Sequence, residues 1–285
     1  MSDFHPTAEA LLTETLALVR DRVSAGAVTD VATGPHMGYV EVEVEIDENG
    51  TAPETDDGRR AGVVHLPDGP LPDLVGRDAV AVVEAAVEPS ASRPARAAGL
   101  ATLNALSAGL IEWRPGDPVR ALTADVDAVA MVGLFGPVVT RFEDLDVRVV
   151  ERDPADVSLP TDVSPSVDVS VYGPDAAADA FDGADVALVT GSTLVYGGLG
   201  RYLAAASPDL PVVLVGATAS FLPGPLFDAG VSVLAGARVT DRERVRDLLT
   251  GPRCGQKLHG NGLQKVYARP DFDRPLPGLD FGGRS

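Results

Sequence analysis

Glycine and hydroxyl-bearing residues are concentrated in two short segments that could together bind an anion or a metal complex. The first reads Thr-Gly-Ser-Thr from Thr190 to Thr193, with Gly191 and Ser192 between them, and the second begins at Gly216 and contains Thr218. Each follows an apolar run typical of a buried strand. Hydroxyls and backbone N–H groups at the carboxyl ends of parallel strands can bind an oxyanion. We therefore predict one shared pocket there, with simple helix capping by Thr193 as the alternative.

A third segment, GLFGP, follows another apolar run and resembles half of a nucleotide-binding loop. Gly133 and Gly136 lie three residues apart, with Phe135 between them. The full GxGxxG pattern is absent, and Pro137 lacks an N–H that could face a phosphate. Glu151 ends the next predicted strand, where such folds place a ribose-binding acid. Two interpretations stay open here. The loop and Glu151 could bind a nucleotide-like cofactor, or they could be a simple tight turn and a surface carboxylate.

Residues for metal binding or nucleophilic catalysis are scarce. The chain has one cysteine and four histidines, and neither CxxC nor HxxxH occurs. Cys254 and His259 are the metal candidates, and the alternative is a buried cysteine and a surface histidine. No GxSxG or GxxxxGK[ST] motif occurs, and Ser192 has no histidine near it in sequence. Whether the protein is an enzyme stays open.

The composition predicts a globular protein with an unusual surface. Hydrophobic residues make up 45% of the 285 residues but aromatic residues only 5%, so we expect an aliphatic core and little stacking of a ligand on aromatic rings. The net charge is −19. Repulsion between so many negative charges is screened in concentrated salt. The charge therefore favours a halophilic source over an ordinary acidic protein. Without a basic stripe, nucleic acid is not an expected partner.

The same sequence predicts a cytoplasmic protein with no membrane partner. A single cysteine, Cys254, rules out an intramolecular disulfide. The first residues are acidic rather than basic and apolar, so no export signal is visible. The longest uncharged span, 210–227, contains several prolines and glycines, which makes a membrane-spanning helix implausible.

The first half of the chain mixes helical and strand patterns. Apolar residues at helical spacing predict an amphipathic helix over 7–25. Alternating valine and glutamate predict a strand over 40–46 with one solvated face, and 61–66 predicts its partner in a hairpin with a long loop. Two further helices are predicted over 78–87 and 92–110.

The second half changes to short apolar runs separated by helical segments, a pattern typical of a parallel, doubly wound sheet. Helices are expected after Gly136, Gly173, Thr193 and Phe221, and a last one with Thr240 as its cap. The predicted strands are 128–133, 147–151, 186–190, 212–216 and 231–234.

A stretch rich in proline, glycine and charge, 112–126, predicts a linker between the two halves. We therefore predict an α+β domain over 1–115, a Rossmann-like α/β domain over 116–268, and an irregular tail over 269–285.

Several segments in this order resemble the DUF364 family, labelled as heavy-metal chelation proteins, with its companion N-terminal DUF4213 region. They are GLATLNAL (99–106), GLFGP, Glu151, TGSTLV (190–195) and GATASFLPGPLFDAGVSVLAG (216–236). The family tends to read TGTTLVNGT, whereas this chain has Ser192, Tyr196 and Gly198 in place of two threonines and the asparagine. These departures affect the ligand contacts.

The resemblance implies an enolase-N-terminal-like domain followed by a Rossmann-like domain, with a cleft between them. It also implies that Asn104 and the strand-end loops line the cleft. The first hypothesis is binding of a small anionic ligand, a metal ion or a metal–chelator complex in that cleft. The second is an enzyme using a nucleotide-like cofactor. The third treats the domain pair as an assembly module, and a homo-oligomer is compatible with all three.

Overall fold

The computed structural model describes residues 6–45, 57–251 and 258–281, which form a mixed α/β fold with two sheets. One sheet has three antiparallel strands, and the other has eight strands that are mostly parallel. The α-helices are α1 Ala8–Arg20, α2 Ala79–Val87, α3 Arg93–Ser107, α4 Gly136–Val139, α5 Ala177–Phe181, α6 Thr193–Tyr196, α7 Leu199–Ala205, α8 Gly224–Asp228 and α9 Arg242–Thr250. The strands are β1 Ser24–Thr33, β2 Met37–Glu45, β3 Arg59–His65, β4 Arg114–Pro115, β5 Ala128–Val132, β6 Asp146–Val150, β7 Asp168–Tyr172, β8 Val186–Thr190, β9 Val212–Val215, β10 Val233–Val239 and β11 Leu263–Ala268.

The small sheet is an antiparallel meander of β1, β2 and β3. The hairpin of β2 and β3 confirms the sequence prediction, but β1 was missed, and the predicted first helix extended two residues into it. That helix ends at Arg20, and its N-cap Thr7 accepts a hydrogen bond from the Ala10 N–H. β1 reads SAGAVTDVAT and pairs with β2 through two register shifts, so its apolar residues do not alternate regularly.

The large sheet contains six parallel strands in the spatial order β7-β6-β5-β8-β9-β10. Numbered along the chain as one to six, these strands lie in the order 3-2-1-4-5-6, which is the order of dinucleotide-binding folds. β11 and β4 extend the sheet with antiparallel pairing beside β10. A Rossmann-like sheet is therefore confirmed.

Most strands of the large sheet match the predicted runs, and β8 matches residue for residue. β7 and β11 were missed because neither contains a long apolar run: β7 reads DVSVY, and β11 reads LQKVYA with two polar residues near its start. The cap of α9 was predicted wrongly. Asp241, not Thr240, accepts the hydrogen bond from the Arg244 N–H at the start of that helix.

Helix α3 packs against β2 and β3 of the small sheet, and on the other side it contacts α6 and the loop after β9. Gly62 of β3 lies so close to this helix that an added Cβ would be 2.1 Å from the Ala101 carbonyl oxygen. Only glycine permits that approach. The buried side chains of α1, α2 and α3 belong to the same core cluster as one face of the large sheet.

The described part of the tail, 269–281, has no helix or strand and lies along the large sheet. The ring of Phe281 stacks on Tyr267 at 4.7 Å between centroids, and Leu279 is buried. No helix in the described part of the chain has the length and apolar character needed to cross a membrane.

Candidate functional site

A cavity of about 500 Å³ lies where the carboxyl ends of β5, β6, β8 and β9 meet the small sheet. Between β5 and β8 the chain connections leave in opposite directions, and ligands of open α/β sheets bind at such a point. The cavity walls come from the loops after these four strands, from β2 and β3, from α6 and α7, and from the segment before β11. They include Met37, His65, Gly133, Leu134, Phe135, Glu151, Arg152, Thr190, Ser192, Thr193, Tyr196, Tyr202, Gly216, Thr218 and His259.

The first loop is fixed to the end of β6 by a carboxylate. Gly133 has a φ of +84°, and an added Cβ would lie 3.1 Å from Cγ2 of Thr190, so the position suits glycine. The Leu134 N–H donates to Glu151 Oε1 at 2.7 Å, and the Arg152 N–H donates to Oε2 at 3.3 Å. Glu151 therefore holds this loop in shape, and it also lines the cavity.

In the second loop, backbone contacts already use several of the groups that the sequence suggested for a ligand. The Thr193 hydroxyl donates to the Thr190 carbonyl at 2.7 Å, and the Gly191 N–H donates to the Val215 carbonyl at 2.7 Å. The hydroxyls of Thr190 and Ser192 lie 3.1 Å apart and share one hydrogen bond. That pair keeps one proton for a ligand, because only one of the two hydroxyls can donate within it.

The third loop connects the large sheet to the small one. The buried Thr218 hydroxyl accepts a hydrogen bond from the His65 N–H at 3.0 Å. Gly216 has a φ of +133°, and an added Cβ there would meet no atom closer than the Gly191 nitrogen at 3.8 Å. The loop therefore requires glycine for its backbone conformation rather than for space.

Asn104 of α3 is hydrogen-bonded to the small sheet and to the third loop, which follows β9. Its Nδ2 group donates to the carbonyl oxygens of Val63, Ala217 and Thr218 at 2.8, 3.1 and 3.2 Å. Because three acceptors surround this end of the amide, it must be the NH₂ end. The Oδ1 atom is buried without a hydrogen-bond partner among the described residues. The geometry gives Asn104 a role in positioning the third loop.

A family model matches residues 119–268, more than half of the chain. This model is DUF364, described as "Putative heavy-metal chelation". The chain belongs to the DUF364 family. Its match begins just after β4 and covers all six parallel strands, so it contains each strand-end loop of the cavity.

Two solved structures from DUF364 share the fold of nearly the whole chain. The protein of unknown function from Pyrococcus horikoshii is 20% identical with a TM-score of 0.67, over 92% of this chain and 99% of that one. The protein of unknown function from Desulfitobacterium hafniense is 16% identical with a TM-score of 0.62, over 90% of this chain and 98% of that one. No curated protein is significantly similar in sequence. At these identities the likeness shows the fold alone.

In this DUF364 protein the structure brings most of the predicted site residues to one cavity. Asn104, Gly136 and Gly191 do not line it, and Cys254 lies outside the described residues. Gly136 instead faces Pro160, whose Cγ would lie 3.2 Å from an added Cβ. The predicted site residues that line the cavity are Gly133, Phe135, Glu151, Thr190, Ser192, Thr193, Gly216, Thr218 and His259.

Sequence reasoning missed the rings and the charge of the cavity wall. Tyr196 and Tyr202 join Phe135 there, although the chain has only 5% aromatic residues. The Arg152 guanidinium lies 4.2 Å from the centre of the Tyr196 ring. The one signal for this wall in the sequence was Tyr196, which follows TGSTLV directly and departs from the usual DUF364 motif.

Three titratable groups of the wall favour their neutral forms. Burial lowers the pKa of His65, and neighbouring His36 lowers it further. Burial lowers the pKa of His259, and Lys265 adds to that effect. Burial raises the pKa of Tyr202, to which the Glu151 carboxylate also contributes. A bound ligand therefore meets two charged side chains in this wall, those of Glu151 and Arg152, and otherwise mostly neutral groups.

The cavity has no preformed cage for a bare metal ion. Within the described ranges, no group of three or more His, Cys, Asp or Glu residues is placed to hold one. His65 and His259 are metal-ligand types in its wall, but a chelating site ordinarily takes more protein ligands than these two.

Proposed function

We propose that this DUF364 protein binds a small organic ligand, carrying an anionic group or a chelated metal ion, in the cavity at the strand ends. One observation carries the proposal. The loops after β5, β8 and β9, together with Glu151, border a single cavity of about 500 Å³ at the point where the strand order reverses. That volume is within the range of small-molecule sites.

The Thr190–Ser192 pair is the part of the wall best suited to an anion. Its two hydroxyls lie 3.1 Å apart and share one hydrogen bond, which leaves one O–H to donate. The hydroxyls of Thr193 and Thr218 are already used within the protein, because Thr193 donates to the Thr190 carbonyl and Thr218 accepts from the His65 N–H. We infer that these two threonines shape the loops and that the pair contacts the ligand.

A metal would arrive already bound by the organic ligand. The described residues present no group of three protein ligands, so a bare ion would lack sufficient partners. A chelate supplies most of its own donors and needs only hydrogen bonds and one or two further ligands from the protein. His65 and His259 are the residues that could complete it.

The test is ligand binding by protein purified gently in high salt. Elemental analysis and native mass spectrometry should find a metal or a small molecule, and a panel of metal chelates and small organic acids should raise the melting temperature. A ligand at 100 times its Kd adds about 2.7 kcal/mol of stability. If nothing co-purifies and no compound raises the melting temperature, the proposal is wrong.

A matched pair of variants locates the contact. Ser192→Ala removes the hydroxyl that pairs with Thr190, and we expect it to weaken binding without unfolding the chain. Thr250→Val removes an exposed hydroxyl that donates to the Arg246 carbonyl at the end of α9, away from the cavity, and should leave binding unchanged. Equal losses in both variants would exclude the Thr190–Ser192 contact.

An enzyme using a nucleotide-like cofactor is the second candidate function. The 3-2-1-4-5-6 strand order and the position of Glu151 after β6, the second strand of that order, favour it. Replacing Glu151 by Ala should then weaken cofactor binding selectively. Unchanged affinity for every cofactor tested would reject this candidate.

We also propose the domain division predicted from the sequence, with 1–115 as an enolase-N-terminal-like DUF4213 region, 116–268 as the Rossmann-like domain, and 269–285 as the tail. The small sheet with α2 and α3 supports the first unit, and β4 lies at its boundary. The same proposal includes a cytoplasmic location, a high-salt source and a homo-oligomer. It also includes partners other than nucleic acid or a membrane. Expression in cells, followed by fractionation and light scattering, tests them.

A further inference from the structure

One end of the cavity combines a carboxylate, a guanidinium and two phenol rings. We call this group, formed by Glu151, Arg152, Tyr196 and Tyr202, the acid–aromatic end. We propose that it binds a ribonucleoside whose 5′ position carries no phosphate. The inference rests on one part of the proposed function, that this cavity is the site of a small organic ligand. The nucleoside would occupy the acid–aromatic end, and any anionic group or chelated metal of the ligand would lie toward the Thr190–Ser192 pair.

The carboxylate is placed for a ribose. Glu151 follows β6, the second strand in the 3-2-1-4-5-6 order, and a carboxylate at this position can accept hydrogen bonds from the hydroxyls of a ribose. Each oxygen accepts one backbone N–H, from Leu134 at 2.7 Å and from Arg152 at 3.3 Å. A carboxylate oxygen has two lone pairs, so one on each remains for a vicinal diol.

The flat groups beside Glu151 are suited to a base. Arg152 lies 4.2 Å from the centre of the Tyr196 ring, and Arg93 of α3 lies 5.1 Å from the same ring. Tyr202 is buried, and Glu151 is near enough to affect its pKa. Arg152 is exposed, so its guanidinium, supported by the Tyr196 ring, offers a flat face to a nucleobase, worth about 1–3 kcal/mol for each stacked base. In a chain with so few aromatic residues, this concentration of rings is the second observation.

The first loop argues against a diphosphate. Dinucleotide folds bind the pyrophosphate on free N–H groups at the start of the first helix, after a glycine-rich turn. Here that helix is α4, which has four residues and Pro137 in its first turn. The Val138 and Val139 N–H groups both donate to the Phe135 carbonyl. Leu134 and Phe135 occupy the turn, and the turn itself contains no arginine or lysine that could pair with a diphosphate.

The experiment is calorimetric titration of the full chain in high salt with the four ribonucleosides, their 2′-deoxy forms, ATP and NAD⁺. We expect at least one ribonucleoside to bind saturably. Its 2′-deoxy form should bind about tenfold more weakly or worse, the size of one hydrogen bond to a charged group. ATP and NAD⁺ should bind no tighter than the nucleoside. These comparisons use the unmodified protein, so no variant needs to fold.

Glu151→Gln then assigns the contact to the carboxylate. The glutamine carbonyl can still accept from the Leu134 N–H, so we expect a folded variant with ribonucleoside affinity reduced about tenfold. Glu143→Gln, an exposed residue beyond α4, is the matched control and should bind like the parent.

The outcomes separate this inference from the proposed function. If a metal chelate or small acid binds and no nucleoside does, the inference is wrong and the proposed function stands. If no compound of any class binds, both are wrong. Equal affinity for ribose and deoxyribose forms, or tighter binding of ATP or NAD⁺ than of the nucleoside, would also overturn the inference.

Discussion

The small sheet is attached to the rest of the molecule in two chemically different ways. Beside the cavity, the inner attachment consists of uncharged, mostly buried hydrogen bonds from Asn104 and from the His65 N–H to the Thr218 loop. Along α9, the outer attachment consists of ion pairs. Arg242 lies 2.6 Å from Asp57 Oδ2 and 3.7 Å from Glu41 Oε2, and Arg246 lies 2.5 Å from Asp30 Oδ2.

The difference between the attachments indicates which one sets the geometry of the site. Buried neutral hydrogen bonds have strict angles, and an unmade one costs more than an exposed ion pair contributes. Salt screens exposed ion pairs and scarcely affects buried neutral contacts. The inner attachment should therefore hold the cavity walls in place at any salt concentration, and the outer one should add modest, salt-dependent stability.

Substituting Gly62 should give the largest effect. This glycine lets α3 pack closely against β3 beside the inner attachment, and a Cβ would push the two elements apart. In Gly62→Ala the new Cβ would be 2.1 Å from the Ala101 carbonyl oxygen and 2.6 Å from the Ala105 nitrogen, both backbone atoms. We expect a loss of about 3 kcal/mol or more in the free energy of unfolding, measured with urea.

Gly173→Ala is the control for this prediction. It has an ordinary φ of −80°, and the nearest atom to an added Cβ is Pro154 Cγ at 3.8 Å. It should change stability by less than about 0.5 kcal/mol. Comparable losses at both glycines would mean that the close approach at Gly62 does not determine the packing of α3.

Replacing Asn104 should give the next largest effect. Asn104→Ala leaves the carbonyls of Val63, Ala217 and Thr218 without their shared donor, two of them within the loop that lines the cavity. We expect a loss of about 1–3 kcal/mol in the free energy of unfolding. Affinity for the cavity ligand should also fall, because the Thr218 loop loses its support.

Thr102→Val on the same helix separates the loop effect from a general weakening of α3. Thr102 is also buried, but its hydroxyl donates only to the Ala98 carbonyl within α3. We expect little change in ligand affinity. A Thr102 variant that loses as much ligand affinity as the Asn104 variant would contradict a specific role for the amide.

The sequence predicted the strands and loops of the site better than it predicted the inner attachment. Strands such as β8 were predictable because a short run of buried aliphatic residues ends at a glycine. The loops of the cavity were predictable for the same reason, since glycine and threonine follow such runs. The partners of Asn104 were not, because they lie 41 to 114 residues away and no local pattern encodes an amide shared between three carbonyls.

The aromatic wall and β1 show two further limits. Tyr202 lies on α7 and is buried, so its spacing in the sequence looks the same as that of a core residue. β1 carries small and polar residues, and its bulges break the alternation that identifies a strand. In both cases the packing of distant elements, rather than local propensity, decides the outcome.

A smaller and salt-dependent effect is expected at the outer attachment. Arg242→Gln removes the charge that pairs with Asp57 and Glu41, and should cost about 1 kcal/mol or less in dilute buffer. The screening length falls from about 10 Å at 0.1 M salt to about 3 Å at 1 M, so this loss should shrink in 1 M NaCl. Urea titrations at both salt concentrations measure it, and the Asn104→Ala loss should stay constant. A reversed pattern would contradict the proposed division of roles.

The smallest effect should come from protonation of His65 at the inner attachment. Burial and neighbouring His36 lower the pKa of this imidazole in the folded chain, so the unfolded chain, with a histidine pKa of about 6.5, binds more protons. Stability is then complete above about pH 6.5 and falls as the pH drops through the lower, folded pKa. His65→Gln keeps the backbone N–H that donates to Thr218 but cannot be protonated. Urea titrations between about pH 5 and 7.5 should show a shallower acid decline for this variant. Identical declines in parent and variant would mean that the inner attachment is insensitive to charge at His65 as well as to salt.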